Sequence, residues 1–148
     1  MKYYYFEKLP LYELFPPAIT KEDPRLEDPF HFKHKFESWK SLFKEDIFEN
    51  MKVHGQIDPN IACWENNRWR IEPGQARWLA MHYLGFKTQK VILCVNPEKD
   101  PDHSHFLQFP HKEVAEEELP SLFQHVAEHR GYDYIYRRWI RKRNEKSL

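Results

Sequence analysis

The chain has 148 residues, enough for one domain with a sizeable core and too short for two ordinary ones. Its 23 Lys and Arg balance 23 Asp and Glu, giving a formal net charge of zero, which argues against a polyanion-binding surface spread over the whole molecule. Aromatics at 16% beside 31% charged residues suit a compact domain with aromatic anchors and exclude a weakly hydrophobic disordered chain.

The opening Met1-Lys2-Tyr3-Tyr4-Tyr5-Phe6-Glu7-Lys8 lacks the apolar segment of a signal peptide, and no run in the chain has the length of a membrane span, so no membrane association is expected. Tyr3 to Phe6 reads as a short strand. Phe15-Pro16-Pro17 and the stretch from Pro24 to Pro29 read as loops, because Pro interrupts helices and central strands. From Glu37 to Met51 the positions Trp39, Leu42, Phe43, Ile47 and Met51 follow helical spacing, with Gly55 just past the end. Asn60 to Trp64 and Arg68 to Glu72 form a hairpin-like pair around Asn66-Asn67, a turn without the usual Gly. Gln75 to Leu84 is a helix with Gly85 at a left-handed stop, and Lys90 to Val95 is a strand.

Pro97 to Pro110 holds three Pro in a polar context and is the expected flexible segment. Beyond it the pattern is helical, which divides the chain into a main domain at 1–112 and a helical extension at 113–148 packed on it. Glu113 to Glu118 is acidic, Pro120 fits a first helical turn, and Gly131 fits a helix end. Tyr132, Ile135, Tyr136, Trp139 and Ile140 then make an apolar stripe. From Arg130 onward seven Lys or Arg face two acidic residues. Arg137, Arg138, Arg141 and Lys142 form a patch for nucleic acid, for an acidic protein partner, or for solvent alone. Cys63 and Cys94 lie inside predicted strands and read as buried thiols of a reducing, cytoplasmic setting, with a cross-strand disulfide as the alternative. His125 and His129 lie four apart without a third ligand at a fitting spacing, and His103 and His105 lie in the Pro-rich loop, so no metal site is expected.

The order of elements around Gly55-Gln56-Ile57-Asp58-Pro59 and Pro73-Gly74-Gln75-Ala76-Arg77 carries a resemblance. A helix ending in Gly leads to a Gly-x-x-x-Pro turn. Two strands then run into a Gly-Gln-Ala-Arg box that opens a helix, Leu84-Gly85 closes that helix, and Val91-Ile92-Leu93 follows. This resembles the ParB/sulfiredoxin superfamily, often described as the ParB-like nuclease domain, mainly over 47–95. Asp23-Pro24-Arg25 is similar to the family's upstream Pro-Arg element. The resemblance implies an α+β fold: a small mixed sheet with packed helices, continued here by the helical C-terminal extension. It also implies a phosphate site made of Gly74, Gln75, Arg77 and Arg25, and a nucleotide with Mg²⁺ as the only cofactor; the residues alone read Arg25 rather as an exposed loop side chain next to Glu27 and Asp28.

Physical chemistry points to the same turn. A helix start presents unpaired N–H groups and a positive dipole end, and an Arg in the first turn adds a bidentate cation. The alternative at that position is an Arg that closes the turn by pairing with Glu72 or a carbonyl. Asp58 and Glu72 are the carboxylates close enough in sequence to hold Mg²⁺ or act as a base, although both also fit turn-stabilising roles.

The departures from the resemblance narrow the chemistry. Gln75 and Ala76 stand where nucleotide-hydrolysing members carry Glu and Arg. They also stand where sulfiredoxin-like members carry a catalytic Cys, which excludes sulfinic acid reduction. Related free-serine kinases place two His between Gly and Arg, and those are missing as well. The first functional expectation is a stand-alone module that binds a phosphate-bearing ligand, nucleotide or nucleic acid, in DNA-related metabolism. The alternatives are an active nuclease or NTP-dependent phosphotransferase, and a protein–protein adapter that has lost ligand binding.

Overall fold

A computed structural model describes residues 1–17, 19–27, 47–72 and 75–124. The fold is α+β, built on one mixed sheet of five strands in the order β3-β2-β4-β1-β5. The strands are β1 (Lys2–Pro10), β2 (Asn60–Glu65), β3 (Arg68–Ile71), β4 (Thr88–Val95) and β5 (Lys112–Val114). Among the described residues the α-helices are α1 (Ile47–His54) and α2 (Gln75–Tyr83). The parallel pair is β2 and β4, with Ile61 level with Ile92, whereas β1 runs antiparallel to both β4 and β5.

Alternation along the strands sorts the apolar residues into two layers. Tyr4, Phe6, Ala62, Ile71, Val91, Leu93 and Val95 join Met51 of α1 and Trp78, Leu79, Ala80 and Met81 of α2 in the larger core. Tyr3, Ile61, Ile92, Cys94 and Val114 turn to the opposite face, where Leu119 and Phe123 cover them. Both helices therefore serve the first layer. Cys63 of β2 and Cys94 of β4 are both buried and both are free thiols, so the cross-strand disulfide is absent.

Three turns fix how the helices enter the sheet. Gly55, at φ 70°, ends α1 with its N–H on the Met51 carbonyl at 2.9 Å. The Gln56 side chain then pairs with the backbone of Lys90 through both of its polar atoms, at 2.9 and 2.6 Å, fastening the turn before β2 to the neighbouring β4. Asn66 and Asn67 take φ of 52° and 62°, the left-handed pair that a tight hairpin needs, and Asn tolerates this region when Gly is absent. α2 closes with Phe86 N–H on the Met81 carbonyl at 2.9 Å and Gly85 N–H on His82 at 3.1 Å. That double bond pattern, with Gly85 at φ 81°, is the Schellman stop read from the sequence.

Two expectations need correction. The segment from Pro97 to Pro110 is pinned by its own short-range bonds and by a core side chain. Asn96 Oδ1 accepts the Glu98 N–H, Asp100 Oδ2 accepts the Asn96 N–H, and Asp102 accepts both the backbone N–H and the hydroxyl of Ser104. Phe106 is 2% exposed within the larger core. The boundary expected after residue 112 falls inside β5, where Tyr3 is paired with Val114 and Tyr5 with Lys112. Residues 112–124 thus belong to the sheet domain, with a strand and a 3-10 segment at Glu116–Leu122. The rest of the expected helical extension, 125–148, lies outside the described residues, as does the start of the helix expected from Glu37. No helix among the described residues is long and apolar enough to cross a membrane.

Candidate functional site

One end of the sheet gathers Asp58, Glu72 and the start of α2. Asn60 of β2 is level with Val91 of β4, and Pro10 at the end of β1 pairs with Thr88 at the start of β4. The chain returns to this end along β3, where the Glu72 N–H donates to the Ile61 carbonyl at 2.7 Å. Helix α2 begins three residues later. Asp58, Glu72, the start of α2 and the 3-10 turn Leu11–Glu13 are therefore neighbours, although 65 positions separate Tyr12 from Arg77.

Arg77 occupies the first turn of α2 and is half-buried. Its withdrawal from water pulls its pKa below the ordinary guanidinium value, and the nearby Asp58 carboxylate opposes that shift. It remains a cation, since a guanidinium keeps its charge in proteins. Asp58 is 4% exposed and accepts the Gln124 N–H at 2.8 Å through Oδ1. The Gly-x-x-x-Pro turn thus places a buried carboxylate near enough to Arg77 for its charge to act there. Gly74 lies outside the described residues, and Gln75 is placed by its backbone at the first position of α2.

Arg25 falls in a 3-10 turn, Pro24–Leu26. The next carbonyl, that of Leu26, lies 2.7 Å from His82 Nε2. This ties the Pro-Arg turn to the C-terminal half of α2, five residues or about 7.5 Å of helix beyond Arg77. The catalytic candidate Glu72 is turned elsewhere. It lies on the sheet face opposite α2, where Arg70 Nη2 is 3.3 Å from Glu72 and 2.9 Å from Glu65. Cys63 Sγ and carboxylate oxygens of Glu65 and Glu72 lie within 4.8 Å of one another. That donor set has the size of a metal site, but Arg70, 8% exposed, already supplies the positive charge that the two carboxylates require. The alternative in which Arg77 pairs with Glu72 does not describe this end of the sheet: Glu72 lies against Arg70, and Asp58 is the carboxylate whose charge acts on Arg77.

A buried amide network holds this end of the sheet together, and sequence reading did not find it. Gln89, 1% exposed, accepts from Asn60 Nδ2 at 2.9 Å. It donates to the carbonyls of Leu11 at 2.9 Å and Leu14 at 3.3 Å. The Leu11 N–H meets the Lys87 carbonyl at 3.0 Å, so the turn carrying Tyr12 is fixed at several points. Arg68 continues the anchoring, donating to the carbonyls of Ile19 and Pro16 at 2.8 Å each and to that of Pro17. A signal was present in principle: Gln89 is a lone uncharged amide in the buried strand Thr88–Val95, a position that requires partners.

A cleft of about 670 Å³ lies at the opposite end of the sheet, lined by Tyr3, Asn96, Glu98, Val114 and Glu116 among others. It does not adjoin Arg77. Residues Arg137, Arg138, Arg141 and Lys142 lie outside the described residues. Compared with protein-family models and with curated proteins, the chain shows no match.

Proposed function

We propose that the chain is a ParB/sulfiredoxin-type module that binds a phosphate-bearing ligand, a nucleotide or nucleic acid, at the start of α2. The observation that carries this reading is Arg77, a cation held half out of water in the first turn of a nine-residue helix. It stands beside N–H groups that the helix itself leaves without partners. The negative charge of nearby Asp58 supports the arrangement by partly balancing the guanidinium. Gly74 and Gln75 complete the turn in this reading, with Mg²⁺ accompanying a nucleotide. Catalysis is not part of the proposal: Glu72 faces away from α2, and Gln75 and Ala76 provide no base. A second reading, an adapter without a ligand, draws support from the same Asp58, whose charge already partly balances Arg77.

The test is thermal unfolding with CTP, ATP, GTP and short DNA, each with and without Mg²⁺, in the parent and in Arg77→Ala. A ligand at one hundred times its dissociation constant adds about 2.7 kcal/mol of stability. The parent is expected to gain that increment with at least one ligand, and Arg77→Ala to lose it while unfolding near the parent's apo temperature. No response in the parent, together with a large apo loss in the variant, would favour the adapter.

A further inference from the structure

Tyr12 is an exposed aromatic side chain on a surface turn, at 51%. A ring left in water on a surface turn ordinarily rotates freely, and this one is fixed from both ends. Its hydroxyl lies 2.9 Å from His82 Nδ1. The other ring nitrogen of His82, Nε2, lies 2.7 Å from the Leu26 carbonyl. A carbonyl can only accept, so Nε2 carries the proton, and in the neutral ring Nδ1 accepts from the Tyr12 hydroxyl. His82 in turn stacks on Trp78 with centroids 5.9 Å apart and planes 4° apart, and Trp78 is fully buried. Tyr12 meets both rings edge-on, at 5.8 Å from His82 and 6.1 Å from Trp78, and tilts against Phe15 at 6.2 Å. Below the ring, the Gln89 bond to the Leu11 carbonyl holds the backbone.

We propose that Tyr12 is a preorganised stacking platform for the base of a nucleotide whose phosphates sit at the start of α2, an inference that rests on the reading above. Four observations combine. The ring stands at the same end of the sheet as Arg77. It packs on Trp78, the chain neighbour of Arg77. It touches the helix that would hold the phosphates, and its orientation is set before any ligand arrives. A rigid aromatic face loses little entropy on binding, and every base offers a π surface to it. This geometry assigns base affinity to Tyr12 without fixing which base.

The experiment compares inorganic tripolyphosphate with CTP, ATP and GTP by calorimetric titration at fixed Mg²⁺ and salt, in the parent, Tyr12→Ala, Tyr12→Phe and Arg77→Ala. At least one nucleoside triphosphate is expected to bind the parent roughly tenfold more tightly than tripolyphosphate. Tyr12→Ala should erase that preference and leave tripolyphosphate unchanged, whereas Tyr12→Phe, which keeps the ring, should retain most of it. Arg77→Ala should weaken all four ligands. If tripolyphosphate binds and the nucleotides bind no better, or if Tyr12→Ala weakens both alike, the platform is wrong while the phosphate site stands. If none of the four binds the parent, both fall together.

Discussion

Trp78→Ala is expected to cost about 3–5 kcal/mol, a large part of the 5–15 kcal/mol that holds a small domain together. The indole is fully buried in the larger core, and it is the surface on which Phe15, Tyr12 and His82 pack. Truncation removes the transfer energy of the ring and leaves a cavity beneath α2. The same side chain carries a penalty, since its Nε1–H is buried without an acceptor among the described residues, and an orphaned donor costs about 1–3 kcal/mol. Trp78→Phe keeps most of the ring and removes that donor, so it should lie within about 1.5 kcal/mol of the parent. Urea unfolding of the two variants separates these contributions. Near-equal losses would mean that the polar atom, rather than the volume, matters at this position.

Gln89→Leu comes next, at about 3 kcal/mol. It leaves the Asn60 amide and the carbonyls of Leu11 and Leu14 without the partner each now has, and each such loss is worth about 1–3 kcal/mol before relaxation. Because Asn60 and Gln89 answer one another, the double variant Asn60→Leu/Gln89→Leu should cost less than the sum of the two single changes. A simple sum in a urea-based double-mutant cycle would show that the pair does not act as a unit. The expected loss reaches function as well, because this amide positions the turn that presents Tyr12.

Local signals made the central elements legible. Gly85 after an amphipathic stretch announced the end of α2, the hydrophobic run to Val95 announced β4, and Asn66-Asn67 marked the hairpin. The fold class followed from that order and stands: an α+β domain with a mixed sheet. What escaped depends on contacts between distant residues. β5 has three residues, two of them exposed, and becomes a strand only because β1 offers it an edge. The Pro-rich loop looked mobile because its polar residues outnumber the apolar ones, yet Phe106 anchors it in the core. Glu72 sat next to the box in sequence and faced the other way in space, since alternation along β3 puts it on the face of Arg70 rather than Ile71. That the Asp58 charge would act on Arg77, nineteen positions away, was not read from the sequence, and Tyr12 and His82 had no sequence signal joining them.

The central claim, that the start of α2 binds phosphate, is tested most directly by following the backbone amides of ¹⁵N-labelled protein during titration with inorganic tripolyphosphate. Residues 75–77 and Asp58 should shift first and together, along one binding curve that Arg77→Ala abolishes. Shifts confined to the cleft around Asn96 and Val114, or none near α2 at concentrations that saturate elsewhere, would contradict it.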